Sequence, residues 1–144
     1  MIRPLLVDDL PWIVLQENII FGTSLGEEHY QTLFRLGSLF GYVSDGVERT
    51  GAVLCSQNGE HVQIENLFVL PIARRQGLAT ALLTQLIQEC DTRSIQFISL
   101  EVSKTNAVAK QLYESLGFDG IKHIPNYYPD GSDAVFMVHE RRSQ

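Results

Sequence analysis

The hydrophobic period of the chain changes at Pro71, and this change constrains the fold more than any other feature. Three β-rich runs precede it: 40–43, 51–56 and 62–69. They are separated by the turn sequences SDGVERT and QNGE, so they predict an antiparallel meander. After Pro71, apolar residues recur at helical spacing from Leu78 to Cys90 and predict one long amphipathic helix.

Weaker patterns on either side extend this core of elements. Towards the N-terminus they predict a strand at Ile2–Arg3, a helix at Asp8–Ile19 and a helix at Glu27–Leu36. The first helix carries the partial period Leu10, Ile13, Val14 and Glu17. Towards the C-terminus they predict a strand at 95–102, a helix at 107–116 that stops at Gly117, and a strand at 134–139.

The order of these elements predicts the fold class. A strand, a crossover helix and a further strand imply a parallel pair beside the antiparallel meander, so the sheet is mixed. We therefore expect an α+β fold with a central mixed sheet flanked by helices. The length of 144 residues and the 44% hydrophobic content suit a single domain spanning residues 1–144.

Composition limits the partners. The net charge of −6 argues against nucleic acid and suits a basic or amine-bearing partner. Cys55 and Cys90 lie in apolar patterns and are expected to be small core residues in a reducing compartment. We see no secretory signal and no membrane span, so we expect a cytoplasmic protein. The histidines lack metal-ligand spacing, so we expect no metal site: His29, His61, His123 and His139.

The segment Arg74-Arg75-Gln76-Gly77 opens the long helix and predicts an anion site. A helix N-terminus presents unpaired N–H groups and a partial positive charge, so added arginine favours an anion there. The segment lacks the Lys-Ser/Thr ending of a P-loop and the G-x-G-x-x-G of dinucleotide-binding folds. A solvated basic turn that merely caps the helix is the equally weighted alternative.

Two motifs resemble a known family. Arg74-x-x-Gly77-x-Ala79 is similar to the acetyl-CoA signature of the GNAT N-acetyltransferases, and the stretch 100–118, LEVSKTNAVAKQLYESLGF, resembles a second block of that family. With NYYP at 126–129 and DAVFM at 133–137, the chain most resembles the RimI type, which acetylates the N-terminal alanine of a ribosomal protein.

The resemblance implies that acetyl-CoA is the acetyl donor and assigns residues to it. The backbone of Leu67, Phe68 and Val69 is expected to run beside the pantetheine arm like an added strand. The pyrophosphate is expected on the loop and first helical turn: Arg74, Arg75, Gln76, Gly77, Leu78, Ala79 and Thr80. Asn106 matches a cofactor-contacting position and is also a plausible helix N-cap, and one residue could serve both roles.

The resemblance also implies Glu101 as the general base and Tyr113 as the general acid. From the pattern alone, Glu101 could be a surface carboxylate at a strand end and Tyr113 a core residue. Glu65 is the rival base, with a solvent-facing strand position as its alternative. Tyr127 and Tyr128 are expected to wall the acceptor channel, on opposite sides of the chain if that segment is extended.

Three functions stay open at this point. The preferred one is acetyl transfer to a protein α-amino group, such as that of a basic protein N-terminus. The others are acetylation of a small amine and a non-catalytic acyl-CoA-binding module.

The chain departs from the RimI pattern at several positions. Leu70 and Ala79 stand where Asp and Gly are usual, and FGTSLGEEHY at 21–30 replaces the aromatic Pro-Trp-Ser element of the RimI type. The sequence leaves monomer and homodimer equally open.

Overall fold

The computed structural model describes residues 1–141 and contains a seven-stranded sheet with helices on both faces. The strands are β1 (Ile2–Pro4), β2 (Leu39–Asp45), β3 (Arg49–Asn58), β4 (His61–Val69), β5 (Phe97–Ser103), β6 (Asp119–Ile124) and β7 (Ala134–Glu140). The helices are α1 (Leu10–Phe21), α2 (Glu27–Arg35), α3 (Leu78–Thr92) and α4 (Ala107–Ser115), with 3-10 turns at Val7–Asp9 and Pro71–Ala73. Among these residues, no helix is both long and apolar enough to cross a membrane.

The order of strands in the sheet is β1-β2-β3-β4-β5-β7-β6. Every neighbouring pair is antiparallel except β4 and β5, which are parallel and joined through α3. A parallel pair needs a crossover connection, and the amphipathic helix after Pro71 supplies it. The predicted meander, parallel pair and mixed α+β sheet are confirmed.

Two hydrophobic cores lie on opposite faces of the sheet. One joins α3 and α4 to the sheet through side chains such as Leu82, Leu86 and Tyr113. The other joins α1 and α2 to the sheet through Leu10, Ile13 and Tyr30. Cys55 and Cys90 are free and buried in the first core, which confirms the prediction that they are small core residues.

Strand β6 is absent from the sequence prediction. Its residues, DGIKHI, are almost all exposed because β6 is an edge strand that pairs only with β7. A strand with no buried face lacks the alternation of apolar and polar residues from which strands are recognised. Pairing with β7 rather than its own pattern therefore makes this segment a strand.

Several predicted boundaries are also shifted, most clearly those of α1 and β5. Helix α1 follows the 3-10 turn at Val7–Asp9 and continues to Phe21, where Gly22 adopts a left-handed φ of 77° and closes the helix. Strand β5 begins at Phe97 rather than at Ile95, because the Ile95 N–H donates to the Cys90 carbonyl and continues the C-terminal turn of α3.

Candidate active site

A gap opens between β4 and β5 in the middle of the sheet. The two strands pair only at His61–Phe97, Val62–Ile98 and Gln63–Ser99, although β4 continues to Val69 and β5 to Ser103. A bulge in β4 lies at the point of separation: Cys55 pairs with Ile64 and Leu54 with Asn66, so Glu65 has no partner in β3. The bulge directs β4 away from β5 and leaves one backbone edge of β4 facing the gap.

The far end of β4 is anchored by its side chains and by β3. Leu67, Phe68 and Val69 pair with β3 residues 53, 52 and 51. Leu67 and Val69 pack on the core with α3, while Phe68 is buried on the opposite face, its ring 5.6 Å from that of Trp12. Only backbone groups are then free towards the gap, and backbone groups are what an added extended ligand would use. That these three residues bind pantetheine stays a prediction.

Loop 74–80, which runs from Arg74 through the first turn of α3 to Thr80, presents a series of free N–H groups. None of the N–H groups of residues 75–80 donates a hydrogen bond to another atom of residues 1–141, and the first helical bond runs from the Ala81 N–H to the Gly77 carbonyl at 3.0 Å. Arg75 and Gly77 both adopt left-handed conformations, with φ of 65° and 74°. Successive free N–H groups of this kind form a concave site for an anion.

The two arginines of this loop add charge beside those N–H groups. Arg74 donates from Nε to the Val69 carbonyl at 3.1 Å, which ties the loop to the end of β4. Within residues 1–141, neither Arg74 nor Arg75 forms an ion pair with a carboxylate. A Cβ at Gly77 would meet no atom within 4 Å, so this face of the loop is open. These features favour the anion-site interpretation over a simple capping turn.

Asn106 is the N-cap of α4. Its side-chain oxygen accepts a hydrogen bond from the Ala109 N–H at 3.1 Å, so the capping role is confirmed. Asn106 is also exposed, which leaves its other polar atoms accessible. The cofactor contact implied by the resemblance stays a prediction.

Glu101 lies on β5 beyond the last pair with β4 and is half-buried. Burial raises the pKa of its carboxyl group, and the nearby Glu65 carboxylate raises it further. Gln63 partly opposes this by donating from Nε2 to Glu101 Oε2 at 3.3 Å. Glu101 is therefore not a freely solvated carboxylate at a strand end, and its raised pKa makes it a stronger base than an ordinary glutamate.

Glu65 occupies the bulge of β4 and belongs to the same cleft. Its Oε1 accepts a hydrogen bond from the Ser56 hydroxyl at 2.6 Å, and its charge acts on Glu101. It is a partly buried member of a carboxylate pair, so the interpretation as a solvent-facing strand residue does not hold. Both candidate bases therefore belong to one cleft, where the charge of Glu65 raises the pKa of Glu101.

Sequence analysis missed the polar face around this pair. His61 Nε2 lies 2.6 Å from the Ser99 hydroxyl, and Gln63 reaches Glu101 across the same parallel pair. The alternation of His61, Gln63 and Glu65 along β4 is visible in the sequence. The β5 residues that they contact cannot be identified from the sequence, because the register of a parallel pair is set by the intervening helix and not by a short turn.

Tyr113 combines a buried ring with an accessible hydroxyl group. The residue is 8% exposed and packs edge-on to Phe118 with ring centres 5.8 Å apart, which confirms the core interpretation of the ring. Its hydroxyl group forms no hydrogen bond within residues 1–141. Every fully buried side-chain oxygen of these residues has a hydrogen-bond partner, so the Tyr113 oxygen is not fully buried and reaches solvent. Burial raises its pKa to about 12, with a further contribution from Tyr128. The phenol therefore holds its proton at neutral pH, as a general acid must.

Tyr127 and Tyr128 lie in the loop between β6 and β7. Their N–H groups both donate to the Ser132 carbonyl at 3.1 Å, and their rings pack edge-on with centres 4.9 Å apart. The segment is a loop closed by these bonds and is not extended, so the condition under which the two rings would lie on opposite sides of the chain is not met. Burial first, and then charges including that of Glu101, raise the pKa of both phenols. That these tyrosines wall the acceptor channel stays a prediction.

No group of three or more His, Cys, Asp or Glu side chains in residues 1–141 is arranged to hold a metal ion. Besides the polar side chains of β4 and β5, the site offers two carboxylates, three tyrosines and the free N–H groups of loop 74–80. Such a set can bind an anion, accept a proton from an amine and return a proton to a leaving group.

Two curated proteins are similar to part of the chain. The chain is 41% identical over 89 residues to the [ribosomal protein bS18]-alanine N-acetyltransferase of Haemophilus ducreyi, a match that covers 59% of the chain and 61% of that protein. It is 48% identical over 76 residues to the enzyme of the same name from Escherichia coli strain K12, covering 51% of each. The chain thus matches about half to three-fifths of the length of these relatives.

The fold has a close counterpart among solved structures. The crystal structure of the ribosomal-protein-S18-alanine N-acetyltransferase from Escherichia coli superposes with a TM-score of 0.82 at 30% identity, covering 100% of this chain and 96% of that one. The model of the acetyltransferase (GNAT) family matches residues 6–118. Together with the gap beside β4, the free N–H groups of loop 74–80 and the carboxylate pair, these matches show that the chain belongs to the GNAT acetyltransferase family.

Proposed function

We propose that this protein transfers an acetyl group from acetyl-CoA to the α-amino group of a protein N-terminus. One observation carries the proposal: β4 leads directly from the carboxylate pair, along an unpaired backbone edge, to the free N–H groups of loop 74–80. A ligand with an extended arm and a diphosphate end suits such a path. Acetyl-CoA, the donor used by this family, has that shape and supplies an activated thioester.

Different residues of the cleft would bind the two ends of acetyl-CoA. The backbone of Leu67, Phe68 and Val69 would align the pantetheine arm in the gap, and loop 74–80 would hold the diphosphate through its N–H groups and arginines. Asn106, exposed at the start of α4, would contact the same ligand. We see no conflict between this role and its cap, since the cap uses only the side-chain oxygen.

The proton transfers would fall to Glu101 and Tyr113. Glu101 would remove a proton from the acceptor ammonium, since its raised pKa brings it closer to that of the amine. Tyr113 would donate its proton to the departing thiolate from an accessible hydroxyl group. Glu65 remains the alternative base because it shares the cleft and interacts with Glu101.

An α-amino group is the preferred acceptor because of its low pKa. Its pKa is about 7.7–8.0, whereas that of a lysine side chain is about 10.4, so far less work is needed to expose the neutral amine. The names of the similar proteins from Haemophilus ducreyi and Escherichia coli point to the alanine terminus of ribosomal protein bS18 as an acceptor to test first. A ribosomal acceptor would also place the reaction in the cytoplasm.

A small amine is the second candidate. The acceptor segment, residues 21–30, departs from the aromatic element of the RimI type, and Glu65 adds a carboxylate that could bind a compact cation. The acceptor channel could therefore suit a smaller substrate than a protein terminus.

Mass spectrometry of acetylation reactions tests the proposal. Ribosomal proteins, hexapeptides that begin with alanine and a panel of polyamines and amino acids would each be incubated with acetyl-CoA and the protein. We expect acetylated peptide N-termini. Turnover of the metabolites alone would establish the second candidate, and acetyl-CoA binding without any turnover would indicate a binding module.

A further inference from the structure

Glu17 is a fully buried carboxylate, with 0% of its surface exposed, on the face of α1 that packs against the sheet. Within residues 1–141 it has no cationic partner. Three neutral side chains donate to it instead: the Ser24 hydroxyl to Oε1 at 2.6 Å, and the Tyr30 hydroxyl and Asn66 Nδ2 to Oε2 at 2.8 and 2.7 Å. A buried carboxylate is costly unless such bonds are complete, so their geometry is tightly constrained.

The donors come from three separate parts of the acceptor side of the cleft. Ser24 lies in the connection between α1 and α2, Tyr30 on α2, and Asn66 directly after Glu65 in the bulge of β4. Ser24 also accepts a hydrogen bond from the Gly26 N–H at 3.1 Å, which ties the connection to the start of α2. All three donors bind the same acceptor, the carboxylate of Glu17.

This network reaches the proposed reaction centre. Burial raises the pKa of the Tyr30 phenol, and the charges of both Glu17 and Glu65 raise it further, so the phenol lies near both carboxylates. Glu65 in turn acts on Glu101. The bulge is thus held from one side by the Glu17–Asn66 bond and from the other by the Ser56–Glu65 bond.

From this geometry we infer that Glu17 is a positioning residue for the acceptor. It fixes the acceptor segment, residues 21–30, against the β4 bulge and thereby sets the width of the channel in front of Glu65 and Glu101. It touches neither loop 74–80 nor Tyr113, so it acts on acceptor binding and not on acetyl-CoA binding. The effect of Glu17 on acceptor binding rests on the proposed function. The hydrogen bonds that hold residues 21–30 and the β4 bulge do not depend on it.

The test compares two isosteric changes in the same region of the fold. Glu17→Gln keeps the shape but replaces one accepting oxygen with a donor, so residue 17 can no longer accept from all three side chains, and the Ser24 hydroxyl must break or reverse its bond. Asp9→Asn is the control: Asp9 is 1% exposed, yet within residues 1–141 its carboxylate bonds to Arg3, Arg49 and the Leu6 N–H and forms no hydrogen bond with β4. Both variants should unfold at lower temperature than the parent protein.

Steady-state kinetics at a temperature where all the proteins are folded separates positioning from stability. With an alanine-leading hexapeptide, we expect Glu17→Gln to raise the peptide KM about tenfold, while the acetyl-CoA Kd changes less than about twofold. Asp9→Asn should leave both constants unchanged. Equal peptide KM values for the two variants would overturn the inference. If Glu17→Gln does not fold, Tyr30→Phe removes one donor and should raise the peptide KM severalfold.

Amide hydrogen exchange keeps the inference independent of the acceptor. Glu17→Gln should speed exchange in residues 23–30 and 64–67 by at least about tenfold, and Asp9→Asn should not. If the parent protein fails to acetylate the peptide, the proposed acceptor is wrong, and the exchange comparison decides on Glu17 alone. Unchanged exchange in residues 64–67 of Glu17→Gln would show that Glu17 does not hold the bulge.

Discussion

The free edge of β4 and loop 74–80 form an open region: beyond Gln63 no residue of β4 pairs with β5, and the N–H groups of residues 75–80 have no partner within residues 1–141. Across the sheet, residues 21–30 are held by side chains that meet at the buried Glu17. The first region is open and needs a ligand to complete its hydrogen bonds, whereas the second is already complete. Under the proposed function, the difference teaches that acetyl-CoA binding depends on local backbone conformation, whereas acceptor binding depends on long-range packing.

The largest effect should come from Glu101, which lies where the two regions meet. Glu101→Gln removes the proposed base and should lower kcat about 10²- to 10⁴-fold, with the acetyl-CoA Kd unchanged. Stopped assays and calorimetry would measure the two quantities. Glu65→Gln is the matched control and should lower kcat much less. The reverse order would make Glu65 the base.

A second test addresses the open region alone. Gly77→Val should weaken acetyl-CoA binding at least about tenfold, because φ is 74° there and a β-branched residue is strained in that conformation. Gly37→Val is the control, since Gly37 has φ of 75°, equal free space and a position at the end of α2. Calorimetry with acetyl-CoA would compare them. Equal affinities would place the diphosphate elsewhere.

Tyr113→Phe should have a smaller effect on catalysis. The departing thiolate is a good leaving group, so loss of the proposed acid should lower kcat only about tenfold to hundredfold. Tyr42→Phe removes a hydroxyl from another buried tyrosine of the same core and should leave kcat unchanged. If both variants keep the parent kcat, the thiolate leaves without help from Tyr113.

The smallest effect concerns stability. Burial and Glu65 raise the pKa of Glu101 above its usual 4.5, so the folded state penalises its charge at neutral pH. That penalty is absent when the pH is below the usual pKa of Glu101 and is complete once the pH exceeds its raised pKa in the folded state. Glu101→Gln should therefore raise the melting temperature at pH 7 by on the order of 1–2 °C and change it less at pH 4. Thermal melts at the two pH values would show the difference, and a lower melting temperature at pH 7 would contradict it.

The same division explains what the sequence could predict. The meander, the parallel pair and α3 follow from hydrophobic period, and the opening of α3 follows from Gly77 and its neighbours, because all of these depend on local conformation. Strand β6 could not be predicted because it has no buried face.

The role of Glu17 was invisible for a different reason. In the sequence it is one polar residue in a partial helical period, and Asn66 lies 49 positions away. Likewise, nothing local shows that Glu65 and Glu101 share one cleft, since their positions depend on a bulge and on the register of a parallel pair. Contacts that cross the sheet have no pattern in a single sequence.

A crystal structure of the protein with coenzyme A tests the central claim most directly. We predict that the diphosphate oxygens lie about 2.7–3.2 Å from the backbone nitrogens of loop 74–80, with the pantetheine arm between β4 and β5. A diphosphate bound away from this loop, or a gap left empty while coenzyme A binds elsewhere, would contradict the account.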